Sequence, residues 1–495
     1  MLSGALIALG WCGPAQAGTT MLDAVAEARL TIQGPPDGSL VDNFAAIPNL
    51  TGDGRPALAV TTTDGAPGRL LAGIVYVLFA TPRTGTVSLG DPTLRGFKIL
   101  GARAYDEAGY EITAAGDVNG DGRGDLLLTA PRNGFVCASA GSGPCGNAPH
   151  FAYVVYGKAD ERTVDLARLR RSQGFAIKGV PGGGLLGEIA GLGRFDGSRY
   201  GAIAVAADRY TYAIYGRRDP ADVDLAHLGP RGFRITTAPG RGASAPFVGA
   251  AGDVNGDGRP DLPLHERSIK SARHAGVFVL LGRHYTGTIA LSRLGTKGFA
   301  VAGAIVGTSV GDVNGDHRAD LLVERAATPT EFDIVYGSRS PHRVDLASLG
   351  AGGERLLYGP VPAGYVLQPN VLAGLGDLNR DGLADVGIST ETYPGGNGPF
   401  QGTVSVVFGS RLPGSLSLQS LGPAGYQLST AVPPPPCPGG PIGNELGHTL
   451  GAVGDFSGDG RPEFAVSALG LGPVPAGPIC HLRQGEVLVE ALPAS

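Results

Sequence analysis

Charge is scarce in this chain. Only 17% of its 495 residues are Asp, Glu, Lys or Arg, and the net charge of −5 leaves no excess of basic residues. A clustered basic face, the electrostatic footprint of a nucleic-acid partner, is therefore not expected. Beyond the N-terminus no apolar run is long and unbroken enough for a membrane-crossing helix. The nine histidines are scattered, and none forms an H-x-x-x-H or equivalent zinc pattern. Methionine occurs twice. What the chain has in excess is glycine and proline, 83 and 38 residues. That usage is too high for a helical protein, while 42% apolar residues is too high for a disordered one. A turn-rich all-β fold reconciles the two.

The first residues read as an export signal over 1–17. Met1 to Trp11 is mostly apolar, and Ala15-Gln16-Ala17 has the small-x-small form of a cleavage site, although a positively charged n-region is missing. Residues 18–28 follow as an N-terminal segment. The expected location is secreted, extracellular or periplasmic. Cleavage would remove Cys12 and leave Cys137, Cys145, Cys437 and Cys480, an even number suited to disulfides. The sequence leaves three pairings open.

Internal repetition dominates the rest. Gly-Asp-Val-Asn-Gly-Asp-Gly-Arg followed by Asp and a β-rich run appears with Asp117, Asn119, Asp121 and Asp125. It recurs with Asp253, Asn255, Asp257 and Asp261, then with Asp312, Asn314, Asp316 and Asp320, and again with Asp377, Asn379, Asp381 and Asp385. A fifth copy carries Asp455, Ser457, Asp459 and Glu463. Two eroded copies begin at Asn49 and near Arg194. The mean step is about 68 residues, and repetition at a fixed period marks a modular fold. Each step holds an apolar run such as Leu126-Leu127-Leu128 and an alternating strand such as Tyr153 to Tyr156. A Val164-Asp165-Leu166 linker and a Gly174-Phe175 strand complete it. Four strands per unit make one blade of a β-propeller. Arg29 to Gly34 resembles a fourth strand and Gly485 to Val489 a third. The expected architecture is thus an all-β, seven-bladed propeller over residues 29–491, of four-stranded antiparallel blades, closed by its two termini.

The Asp loops point to a hard cation. Calcium takes six to eight oxygen ligands. Loop positions 1, 3, 5 and 9 supply side-chain oxygens, with a backbone carbonyl expected at position 7 and a glycine at position 6 for the sharp turn. The loop is not an EF-hand: the twelfth position from Asp117 is Leu128, where an EF-hand needs Glu. Carboxylates crowded into one turn repel unless a cation compensates them, so several structural Ca2+ ions are expected at the five loops. The loops at Asn49 and Arg194 are expected to be empty.

These residues resemble the FG-GAP repeats, as in the N-terminal propeller of integrin alpha chains and many exported bacterial proteins. The namesake elements are degraded: Leu186-Gly187 and Leu446-Gly447 stand for Phe-Gly, and Thr129-Ala130-Pro131 for Gly-Ala-Pro. The resemblance implies seven blades, calcium between the first two strands of a blade, and a partner bound on the opposite face. On that arrangement Cys137 pairs with Cys145 and Cys437 with Cys480. It also gathers the longest insertions (132–150, 393–400 and 433–441) on the face away from calcium. Integrin partner residues have no match here.

Gly307-Thr308-Ser309-Val310-Gly311 fits the hydrolase pattern G-x-S-x-G but lies on a strand entering an Asp loop, where a nucleophile elbow must open a helix. Arg123-Gly124-Asp125 spells an adhesion tripeptide whose Asp is already an expected metal ligand, and Asn49-Leu50-Thr51 is a glycosylation sequon. The expected function is a non-catalytic binding or adhesion module acting on an extracellular protein or glycan. A structural role in an extracellular assembly is the alternative, and a glycan or lipid hydrolase the weaker one.

Overall fold

In a computed structural model, the chain is described over residues 20–491 apart from 37–40, 63–64, 66–67, 132–149, 181–185, 208, 219–220, 238–244, 266–275, 327, 329, 341, 362, 395–400, 413, 431–444 and 470–485. Blade two shows how the sequence makes one unit. Its strands Ile112–Gly116, Asp125–Ala130, Phe151–Val155 and Gly174–Lys178 form an antiparallel meander. The run Leu126-Leu127-Leu128 does not alternate in polarity because both faces of the sheet are covered. Leu126 and Leu128 pack with Val75 and Val77 of blade one, while Leu127 packs with Ile203 and Val205 of blade three. The other blades repeat this plan, and seven apolar clusters fill the seven gaps between them. The first strands of neighbouring blades adjoin one another around the ring, and between blades four and five the contact falls just past the first strand of blade four, where Ser309 N donates to Ala250 O at 3.2 Å.

The Gly that opens the fourth strand has a steric cause. A Cβ at Gly174 would lie 2.0 Å from the Val154 carbonyl oxygen, and Gly96, Gly232, Gly298, Gly353 and Gly425 meet their third strands in the same way.

The sheets are larger than the four strands expected from sequence. All seven have five strands. The extra strand is the linker: Val164–Asp165 of blade two runs parallel to Gly96–Leu100, the fourth strand of blade one. Its Asp165 then accepts a hydrogen bond from Ala167 N and starts a short 3-10 turn, which drops Leu166 into the gap between blades one and two. Asp224 and Asp345 do the same in blades three and five. The linker satisfies an outer edge that would otherwise be open; its two residues were too short to read as a strand in isolation.

Closure uses the N-terminus twice. Leu30–Gln33 pairs antiparallel with Glu486–Glu490 as the fourth strand of blade seven. Met21–Asp23, within the segment set apart from the propeller by sequence, pairs parallel with Gly425–Ser429 of blade six. The insertions at 132–149, 395–400 and 433–441 and both expected disulfides, Cys137–Cys145 and Cys437–Cys480, lie outside the described residues.

Glu490 occupies the place that Val155 holds in blade two. It is 1% exposed, and neither carboxylate oxygen has a hydrogen-bond partner among the described residues. Burial, reinforced by Glu27 and Asp23, pushes its carboxyl up to about 8. The folded chain therefore holds a proton there that the unfolded chain loses near its ordinary value, and stability falls as pH rises between those two points. The slope is about 1.4 kcal/mol per pH unit for one group. Urea unfolding of Glu490→Gln should be flatter than wild type between pH 5 and about 8 and more stable at the alkaline end; parallel pH profiles would contradict this.

Candidate metal centres

Each Asp loop joins the first and second strands of its blade, so all lie on one face. In blade two Asp117 closes the turn from within. Its Oδ1 accepts from Gly120 N at 2.7 Å and Asp121 N at 3.0 Å, and its Oδ2 from Gly122 N at 2.9 Å. Asn119 Oδ1 accepts from Asp121 N, and Asp121 Oδ1 from Arg123 N, both at 2.9 Å. Gly120 and Gly122 have φ of 76° and 87°, the left-handed values these turns require. The same bonds recur for Asp253, Asn255 and Asp257, for Asp312, Asn314 and Asp316, and in large part for Asp377, Asn379 and Asp381. At two positions a non-glycine takes the left-handed backbone: His317 at φ 66° and Arg380 at φ 63°.

Position 9 does more than donate an oxygen to the loop. Asp125 is fully buried; its Oδ2 accepts from Val118 N and its Oδ1 from Gly157 N, each at 2.9 Å. It therefore clips the loop to the end of the third strand. Asp261 bridges Val254 and Gly282, Asp320 bridges Val313 and Gly337, and Asp385 bridges Leu378 and Gly409. Burial pushes Asp125, Asp261 and Asp320 up to about 7 and Asp385 up to about 6; neighbouring loop aspartates add to the rise and the backbone N–H groups oppose it. Asp125 in this position is closed to any receptor, so the adhesion tripeptide is not displayed.

The loops differ in counter-charge. Among the described residues, the three aspartates in the loops of blades two, four and six make no ion pair with Lys, Arg or His. In blade five Arg318 pairs with Asp316, and His317 Nδ1 lies 3.8 Å from Asp312. In blade seven Arg29 pairs with Asp459 and stands 3.6 Å from Glu463. Ser457 and Glu463 keep their loop positions there, with Glu463 Oε2 accepting from Phe456 N and Ser457 N. The eroded loops carry a single carboxylate each. Asp53 accepts from Thr51 Oγ1 at 2.6 Å, and Asp196 faces His284 Nδ1 at 3.7 Å. Asn49 uses its amide to bond Gly122 O of the next blade at 2.7 Å.

The donor set is all hard oxygen, which suits calcium. A carboxylate has about four lone-pair sites, so position 9 can bind N–H groups and still face a cation. Among the described residues no group of three or more His, Cys, Asp or Glu side chains is already gathered as a metal cage; the loops offer donors rather than a finished coordination shell.

One feature of these loops was not assigned from sequence. The Arg at position 7 packs over the Gly at position 4 of the preceding loop. A Cβ at Gly52 would lie 3.0 Å from Arg123 Nε, at Gly197 3.0 Å from Arg259 Nε, and at Gly458 2.6 Å from Arg55 Nη2. The recurring Arg was the available signal. Ser309, of the G-x-S-x-G match, is buried in the extended strand Ala304–Gly311 that enters the blade-five loop.

No curated protein matches the chain. Residues 108–144 match the FG-GAP repeat family, covering the blade-two loop and the strands on either side of it. That repeat is set in a ring of seven five-stranded sheets, so the chain is a β-propeller with a blade similar to the FG-GAP repeat.

Proposed function

We propose that the protein is an exported, calcium-stabilised propeller that binds an extracellular protein or glycan through the face opposite its Asp loops. The carrying observation is the set of three carboxylates without an ion pair among the described residues in each of the loops of blades two, four and six; blade five has the same three aspartates, one of them paired with Arg318. Asp117, Asn119, Asp121 and Asp125 would hold one ion, and the corresponding residues of blades four, five and six one each. The bound ion supplies positive charge that lets those carboxylates stay ionised and close together.

The meander places the connections between second and third strands, and between blades, away from the metal loops. The described part of that face exposes Leu70, Tyr110, Tyr365 and Val366. Aromatic and apolar side chains on loops over a rigid ring suit a contact surface. No helix among the described residues is long and apolar enough to cross a membrane. The test is a glycan and matrix-protein array, followed by Tyr110→Ser with Tyr365→Ser. Binding to the captured ligand should weaken by about tenfold or more, the loss of one or two contact aromatics, at unchanged melting temperature. Undiminished binding would remove this face from the reading.

A further inference from the structure

We infer that the seventh blade carries its own cation: the Arg29 guanidinium takes the place of the metal in the Asp455–Glu463 loop. This rests on the calcium reading of the other loops only for its comparison with them. Six blades open the fourth strand with Gly, because a Cβ there would collide with the third strand. In the seventh blade the register places Arg29 at that position, just before Leu30–Gln33. Its backbone is held from both sides: Arg29 N donates to Val489 O at 2.9 Å, and Arg29 O accepts from Gly85 N at 2.7 Å. The side chain is thereby aimed into the loop of its own blade. Nη1 bonds Asp459 Oδ2 and lies 3.6 Å from Glu463 Oε1, and the field of Asp455 also favours its charge.

Asp459 and Glu463 are loop positions 5 and 9, which a loop-bound metal must share. The guanidinium already bridges them, and a calcium ion at the same point would stand beside a fixed positive charge. The Glu at position 9 fits this arrangement. Its fully buried side chain uses Oε2 for the loop N–H groups of Phe456 and Ser457, and Oε1 makes no hydrogen bond among the described residues and faces Arg29. The four other loops have the shorter Asp, whose second oxygen is occupied by a glycine N–H. The seventh loop is thus a lock between the first hairpin of the closing blade and the N-terminal strand that completes it. It holds without calcium.

Native mass spectrometry and hydrogen exchange of the full chain test this together. Wild type should bind four calcium ions and Arg29→Gln five, while Arg29→Lys, which keeps a positive charge, should return the count to four. In chelator, amides of Leu30–Gln33 should exchange about fivefold faster in Arg29→Gln than in wild type, the upper range for a half-exposed ion pair. Five ions on wild type, or an Arg29→Gln chain with unchanged count and unchanged exchange, would overturn the inference. No ions on either chain would overturn the calcium reading instead, and the exchange comparison would still decide the role of Arg29.

Discussion

In excess chelator the protein should melt about 10 °C lower than in calcium. A site held at a hundredfold excess over its dissociation constant adds about 2.7 kcal/mol to the folded state, so four loops together add about 11 kcal/mol. At about 2 cal/mol/K of unfolding entropy per residue, a chain of this length loses about 1 °C per kcal/mol. The effect follows from the carboxylates of blades two, four and six, which have no counter-charge among the described residues. Asp121→Ala should reduce the calcium-dependent part of the shift by about a quarter, because each loop is a separate hairpin. Scanning calorimetry with and without chelator gives both numbers. Coincident melting curves would show that the loops stand as plain Asx turns held by their backbone hydrogen bonds.

Asp333→Ala should cost about 3 kcal/mol, the low end for breaking a buried ion pair. Asp333 is fully buried in Glu331–Val335, the third strand of blade five. The equivalent positions hold Tyr76, Tyr153, Tyr212 and Phe278 in other blades. Here the aromatic is replaced by a charge network. Arg325 Nη1 donates to Asp333 Oδ2 at 2.6 Å, and Arg355 Nε lies 3.4 Å from Oδ1. Removing the carboxylate strands Arg325, whose side chain is 14% exposed. The loss stays at the low end because Arg325 keeps Glu331 at 3.4 Å and the Leu346 carbonyl at 3.1 Å. The urea midpoint should recover in part when Arg325→Met is added, since the second change removes the buried charge that has lost its closer partner. Additive losses in the double variant would mean the pair is not coupled.

How far the sequence carried this picture depends on the length of each signal. The seven blades were legible because the Asp loop is a long motif with fixed spacing, and because Gly-Phe and the buried apolar runs recur behind it. The closure of the ring through Leu30–Gln33 was legible as a fourth strand without a blade. The fifth strand was not. Val164–Asp165 has no alternation to read, and its partner Gly96–Leu100 lies in the preceding repeat. Position 9 was read as a ligand only; that its carboxylate also reaches Gly157 depends on the sheet bringing the third strand beside it. Arg29 was hidden for a related reason. It stands more than four hundred residues from Asp459, and only closure brings them together. Asp333 was hidden because one charged residue in an alternating strand reads as solvent-facing, and the ring covers both faces of the sheet.

The borrowed outer strand has a mechanical consequence. Every sheet ends in a segment that belongs to the neighbouring repeat, so the blades are linked like a chain rather than stacked like plates. Tension applied through something gripped by one blade cannot peel that blade off by itself. It passes through a hooked segment to the neighbour and is shared around the circle.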